Sequence, residues 1–163
     1  MAGKTRILFV CLGNIVRSPL AENMFRHLAQ QAGTIDRYEL DSAGTSSYHV
    51  GDPPDERMQR VAAEKGLQVV GSSRQIVPED LDQFDLLIAM DSSNYSHLTR
   101  MADGDGHLSK IHLMREWDPQ GDAQAGVPDP WYGGIDGFER TFGIVERSCR
   151  GLLQALEAGE LGD

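Results

Sequence analysis

Cysteine is scarce, with Cys11 and Cys149 the only two in 163 residues. A disulfide framework is thereby excluded, and a chain of this length buries enough surface to fold without one. Free thiols suit a reducing compartment, so a cytoplasmic location is expected. Positive charge is also short, with 15 lysines and arginines against 25 aspartates and glutamates and a formal net charge of −10. That balance disfavours nucleic acid and acidic membranes as partners. No apolar run reaches membrane-spanning length. Lys4 and Arg6 precede an apolar stretch, but it holds only about seven residues before Asn14 and Arg17, and Phe9 and Val10 are too large for a cleavage site. Metal-ligand spacing is missing too. The five histidines are unpaired in sequence, and Asp103 and Asp105 lack the glutamate that would complete a calcium loop. Neither metal nor cofactor is expected. Repeats and linkers are absent, which makes residues 1–163 one expected domain.

The informative stretch lies near the N-terminus. Ile7 to Val10 reads as a buried strand, and Ser18-Pro19 reads as the N-cap and first turn of a helix. Cys11 and Arg17 stand between, separated by Leu12, Gly13, Asn14, Ile15 and Val16. A loop from strand end to helix start gathers backbone N–H groups at the positive end of the helix dipole, where an anion binds. Arg17 adds a forked cation for two phosphate oxygens. In general, a thiol near ~8.5 falls to roughly 3.5–7.5 beside an arginine and a helix N-terminus, so the field that binds phosphate also ionises a sulfur beneath it. Ser18 is placed to hydrogen-bond that sulfur. Gly13 and Asn14 tolerate the left-handed conformations that turn amides inward.

Val10-Cys11-Leu12-Gly13-Asn14-Ile15-Val16-Arg17-Ser18-Pro19 resembles the phosphate-binding loop of the low-molecular-weight protein tyrosine phosphatases. A bare Cys-x5-Arg carries little information. The preceding strand, the following Ser-Pro and the N-terminal position make the resemblance specific. Asp41-Ser42-Ala43-Gly44-Thr45, Arg74-Gln75 and Met90-Asp91-Ser92-Ser93-Asn94 also look like that family. The resemblance implies that Ser42 braces Asn14, and that Tyr48 stands on the wall of the substrate cleft. Two departures stand out. Gly71, Ser72 and Ser73 occupy the place where many members carry a histidine, and Val16 occupies that of a second loop cysteine.

Strands are expected at 6–10, 38–42, 85–90 and 110–114, alternating with helices. Leu20, Met24 and Leu28 mark the apolar stripe of the first helix, which ends at Gly33. A second helix runs to Lys65, a short acidic one starts at Pro78, and Asp91 caps another. Phe138 to Ala158 reads as the last, with Cys149 as inert packing. This alternation predicts an α/β fold of three layers: a four-stranded parallel sheet, flavodoxin-like in its 2-1-3-4 order, with helices on both faces. Cys11 then lies at the switch point where ligands bind.

Residues 115–137 carry no periodicity, and a loop so long in one domain is usually functional. Within it, Asp129 is held stiffly between Pro128 and Pro130. The resemblance makes Asp129 the general acid, and sets Trp131 and Tyr132 with Leu12 and Tyr48 around the cleft. The implied activity is hydrolysis of phosphotyrosine in proteins, and of small aryl phosphates, through a phosphocysteine formed on Cys11. Two alternatives share the sequence features. An arsenate reductase of the same fold would need an external thiol, since residues 70–100 lack the relay cysteines of the thioredoxin-coupled kind. A cysteine phosphocarrier domain would have no use for Asp129 and its aromatics.

Overall fold

Ile7 to Val10 are apolar without alternation, the pattern of a strand covered on both faces, and all four are fully buried in β1 (Thr5–Cys11). The protein is described by a computed structural model over residues 3–121, 123–131 and 133–161. Among these, β1 lies inside a parallel sheet with β2 (Tyr38–Gly44), β3 (Leu86–Ala89) and β4 (Ile111–Leu113), in the order β2-β1-β3-β4. The expected topology is therefore present.

Side chains of a strand alternate between faces, and β1 divides its own between two cores. Ile7, Phe9 and Cys11 face α1 (Arg17–Ala32) and the last helix, Ile135–Glu157, where Leu20, Phe25, Phe138 and Val145 meet them. A further helix, α2 (Glu56–Glu64), adds Met58 and Val61 to this layer. Leu8 and Val10 face the other way, onto Leu81 of α3 (Asp80–Gln83) and Leu98 of α4 (Ser92–Met101). One more turn, α5 (Asp105–Leu108), buries nothing, and Ile135–Glu157 is α6. The sheet is thus sandwiched between helical layers.

Helix starts differ from expectation at α3, which begins at Asp80 rather than Pro78, and at two further places. First, α1 begins at Arg17 with Val16 as N-cap and no side-chain cap bond, so Ser18 lies inside the first turn. Its hydroxyl is engaged elsewhere, as described below. Second, α6 begins at Ile135 rather than Phe138, preceded by extended Gly134.

The stretch before α6 is anchored despite its lack of periodicity. Short 3-10 turns occupy Met114–Trp117 and Ala123–Ala125. Asp118, buried at 4% exposure, accepts hydrogen bonds from Arg115 Nε at 3.1 Å, Arg147 Nε at 3.0 Å and the Gln120 amide at 2.9 Å. Burial opposes its ionisation, but the hydrogen bonds from Arg147 and Gln120 and the charges of Arg147 and Arg115 outweigh that, holding the carboxyl below its usual range. Arg115 also donates to the Gly126 carbonyl at 3.0 Å. The chain is therefore delivered rigidly to Val127, whose N–H donates to Met90 O at 2.7 Å beside the end of β3.

Candidate active site

Register brings three chain segments to one edge of the sheet. Cys11 pairs with Gly44 across β1 and β2, and Val10 pairs with Ala89 across β1 and β3. Gly44 has to be glycine. A Cβ there would lie 2.8 Å from the Leu12 carbonyl oxygen and 3.2 Å from Asn14 Cβ.

Beyond Cys11 the loop curls under its own sulfur. Asn14 takes φ 57°, the left-handed turn, and its N–H donates to Cys11 Sγ at 3.3 Å. Outward carbonyls hold the curl open. Leu12 O accepts from Ser46 N at 3.0 Å, Gly13 O from Ser73 Oγ at 2.9 Å and Ile15 O from Asp55 N at 2.7 Å. Because C=O and the next N–H point oppositely across a trans peptide, these ties turn the amides of Gly13, Asn14 and Val16 inward. The result is an anion nest at the head of α1.

Ser18 Oγ lies 3.0 Å from Cys11 Sγ and accepts from Asn14 Nδ2 at 2.8 Å. With a lone pair so occupied, the hydroxyl hydrogen is free to point at sulfur. The other end of the Asn14 amide accepts the Arg74 N–H at 3.0 Å. This corrects the expected pairing of Asn14 with Ser42. Ser42 shares the Phe9 face of the sheet, beneath α1, and donates to Glu22 Oε1 at 2.7 Å. Asn14 is braced by Arg74 and Ser18 instead.

The Arg17 side chain, 3% exposed, is aimed from two sides. Nη1 donates to Asp91 Oδ2 at 2.6 Å and to Val127 O at 3.0 Å, while Nη2 stands 3.6 Å from Asp129 Oδ2. Asp91 also caps α4, its Oδ1 accepting the Asn94 amide at 2.9 Å.

A cleft of about 420 Å³ opens above the sulfur. Cys11, Gly13 and Arg17 form its floor, and Leu12, Ile15 and Val16 line one part. Tyr48, Trp131 and Asp129 line the mouth. Asp129 Oδ1 accepts the Trp131 N–H at 3.1 Å, which turns the carboxylate back over the floor. The structure thus gathers Cys11, Leu12, Gly13, Ile15, Val16, Arg17, Tyr48, Asp129 and Trp131, with Asn14 and Ser18 behind them. Tyr132 lies outside the described residues.

Several neighbours were not evident from sequence. His49 lies between Tyr48 and Trp131, edge-on to the first and tilted to the second, with ring centroids 4.9 and 5.5 Å away, and lines the cleft. A loop histidine with no paired ligand carries no local signal for this. Ser73 makes a direct bond to the loop through the Gly13 carbonyl, and Asp91 looked like a helix cap only. Asp55 is held below the usual carboxylate range. Burial opposes that shift, and hydrogen bonds from the Arg57 side chain and amide overcome it. Among the described residues no group of three metal-ligating side chains occurs, and no helix is long and apolar enough to cross a membrane.

The sequence pattern described as low molecular weight phosphotyrosine protein phosphatase matches residues 6–160. A human low molecular weight phosphotyrosine protein phosphatase is 40% identical over 149 residues, covering 91% of this chain and 93% of its own. The Bacillus subtilis low molecular weight protein-tyrosine-phosphatase YfkJ is 40% identical over 153 residues, covering 93% and 95%. A crystal structure of a protein tyrosine phosphatase from Entamoeba histolytica, with Hepes in its active site, superposes with a TM-score of 0.92 at 40% identity, covering 96% of this chain and 99% of that one.

Proposed function

The chain belongs to the low molecular weight phosphotyrosine protein phosphatase family, and from that premise we propose that it hydrolyses phosphotyrosine in proteins, and small aryl phosphates, through a phosphocysteine on Cys11. One observation carries the reading: a sulfur held 3.0 Å from Ser18 Oγ and 3.3 Å from the Asn14 amide lies in one cleft with a buried guanidinium and an aspartate.

In the first step the Cys11 thiolate forms a bond to phosphorus as the bond to the phenolic oxygen breaks. The inward amides of Gly13, Asn14 and Val16, with Arg17, hold the three remaining oxygens where negative charge develops. Asp129 gives its proton to the departing oxygen. Trp131 and Tyr48 flank the aryl ring. In the second step Asp129, now a carboxylate, takes a proton from water as that oxygen bonds to phosphorus. The sulfur–phosphorus bond breaks, inorganic phosphate leaves, and Ser18 steadies the departing thiolate.

The protein needs no cofactor for either step, and residues 1–163 act as one domain. Its working place is the cytoplasm, where an unpaired Cys11 stays reduced. Cys149 supports hydrolysis over a thiol relay. It is fully buried, its thiol pushed well above the usual range by burial and then by Glu146, and it donates to the Ala21 carbonyl at 3.7 Å.

Hydrolysis of aryl phosphates by the parent, Cys11→Ser and Asp129→Ala tests the scheme. Loss of turnover in the first variant and a loss growing with leaving-group pKa in the second are expected. A turnover-competent Cys11→Ser ends the phosphocysteine reading.

A further inference from the structure

Asp129 is usefully placed only if the loop that carries it is fixed relative to Cys11. The stiff Pro128 and Pro130 set the shape of that loop but not its distance from the nest. Two of its carbonyls are tied on the α6 side or within the loop, Pro128 O accepting from Thr141 Oγ1 at 3.2 Å and Pro130 O from Gly133 N at 2.9 Å, and a third, Val127 O on the N-terminal side of Asp129, accepts from Arg17 of the nest at 3.0 Å. The fourth, Trp131 O, accepts from Arg57 Nη1 at 3.1 Å.

Arg57 is itself clamped. Its Nε and Nη2 donate to the two oxygens of Asp55 at 3.2 and 3.0 Å. Its guanidinium lies 4.6 Å from the ring centroid of buried Phe138 and 5.1 Å from that of Trp131. Asp55 in turn donates its N–H to Ile15 O, inside the nest, at 2.7 Å. A continuous path therefore runs from Ile15 through Asp55, Arg57 and Trp131 to Asp129, whose Oδ1 accepts the Trp131 N–H. Each link is a hydrogen bond within ordinary range.

We infer that Arg57 is a positioning residue for the general acid, fixing the distance between Asp129 and the phosphate nest without touching substrate. This rests on the acid role proposed for Asp129. A guanidinium is required rather than an ammonium, because only a planar fork can hold both Asp55 oxygens and still reach a carbonyl while stacked on two rings.

The test is kcat/KM for a series of aryl phosphates of graded leaving-group pKa, in the parent, Arg57→Ala, Arg57→Lys, Asp129→Ala and the Arg57→Ala/Asp129→Ala double variant. General acid catalysis supplies roughly 10²–10⁴-fold, so misplacing the acid is expected to cost about tenfold with unactivated phenols and less than about twofold with nitrophenols. Arg57→Lys should fall between. In the Asp129→Ala background, Arg57→Ala should change nothing further. An equal loss for every leaving group, or the same loss with and without Asp129, marks a merely structural arginine and overturns the inference. Unfolding midpoints accompany each variant, and the lysine variant carries the comparison if the alanine variant does not fold. An Asp129→Ala enzyme with no leaving-group dependence defeats the acid assignment and this inference together. A dependence that Arg57→Ala does not share defeats this inference alone.

Discussion

Asp91 accepts a hydrogen bond from Arg17 at 2.6 Å through one carboxylate oxygen and caps α4 with the other. A single side chain thus starts a helix and aims the Arg17 guanidinium into the cleft. Asp91→Ala should lose about 1 kcal/mol for the cap and about 1–3 kcal/mol for the charged hydrogen bond. The unfolding free energy in denaturant measures the sum. Asp91→Asn, which keeps an acceptor for the cap, should lose less stability but a similar share of kcat/KM, because the guanidinium has lost its charged partner in both.

Ser18 faces the sulfur with its hydrogen free, so its removal should slow the step in which sulfur leaves. Ser18→Ala is expected to cut breakdown of the phosphocysteine on the order of 100-fold, the size of losing one preorganised donor. Rapid-quench kinetics with a nitrophenyl phosphate would then show a burst of phenol followed by slow turnover. A steady rate without a burst, at the parent's kcat, removes Ser18 from the second step.

Gly151 sits in the middle of α6, where propensity alone says that alanine stabilises by about 1 kcal/mol. The structure reverses the sign. A Cβ at 151 would overlap the Trp117 carbonyl oxygen, a backbone atom that cannot swing aside. Gly151→Ala should therefore lower the thermal midpoint. An equal or higher midpoint contradicts the packing of Met114–Trp117 on α6.

Asp118 ties Arg115 and Arg147 together, and its carboxyl is held below the ordinary range in the folded state. The sign follows from linkage. A carboxyl with a depressed folded pKa adds stability above its unfolded value of roughly 3.9 and loses it as pH falls through the lower folded one. Asp118→Asn should be less stable than the parent at neutral pH, and the gap should narrow below about pH 4. A constant gap across that window would mean that the charge contributes nothing.

Val16 stands where a second cysteine would offer Cys11 a disulfide partner, and Cys149 is buried against Ala21. Peroxide is therefore expected to inactivate the protein by adding oxygen to Cys11, giving a sulfenic or higher acid. Mass spectrometry distinguishes the outcomes. Peptides of Cys11 should gain oxygen, and a Cys11 to Cys149 disulfide would refute the expectation.

What the chain alone decided is local. The unbroken apolar run of Ile7 to Val10, the five residues from Cys11 to Arg17 and the alternation of strand and helix are properties of neighbouring residues. They pointed to a parallel α/β sheet and to a loop of inward amides at the end of β1. What tertiary structure decided is which distant groups aim those residues. Arg17 and Asp91 are 74 positions apart, as are Arg57 and Trp131, and Ser73 meets Gly13 across 60. Periodicity, where a strand has it, reports which face a side chain takes. It does not report that Ser42 finds Glu22 rather than Asn14, because that choice depends on where α1 lies over the sheet once both cores have packed.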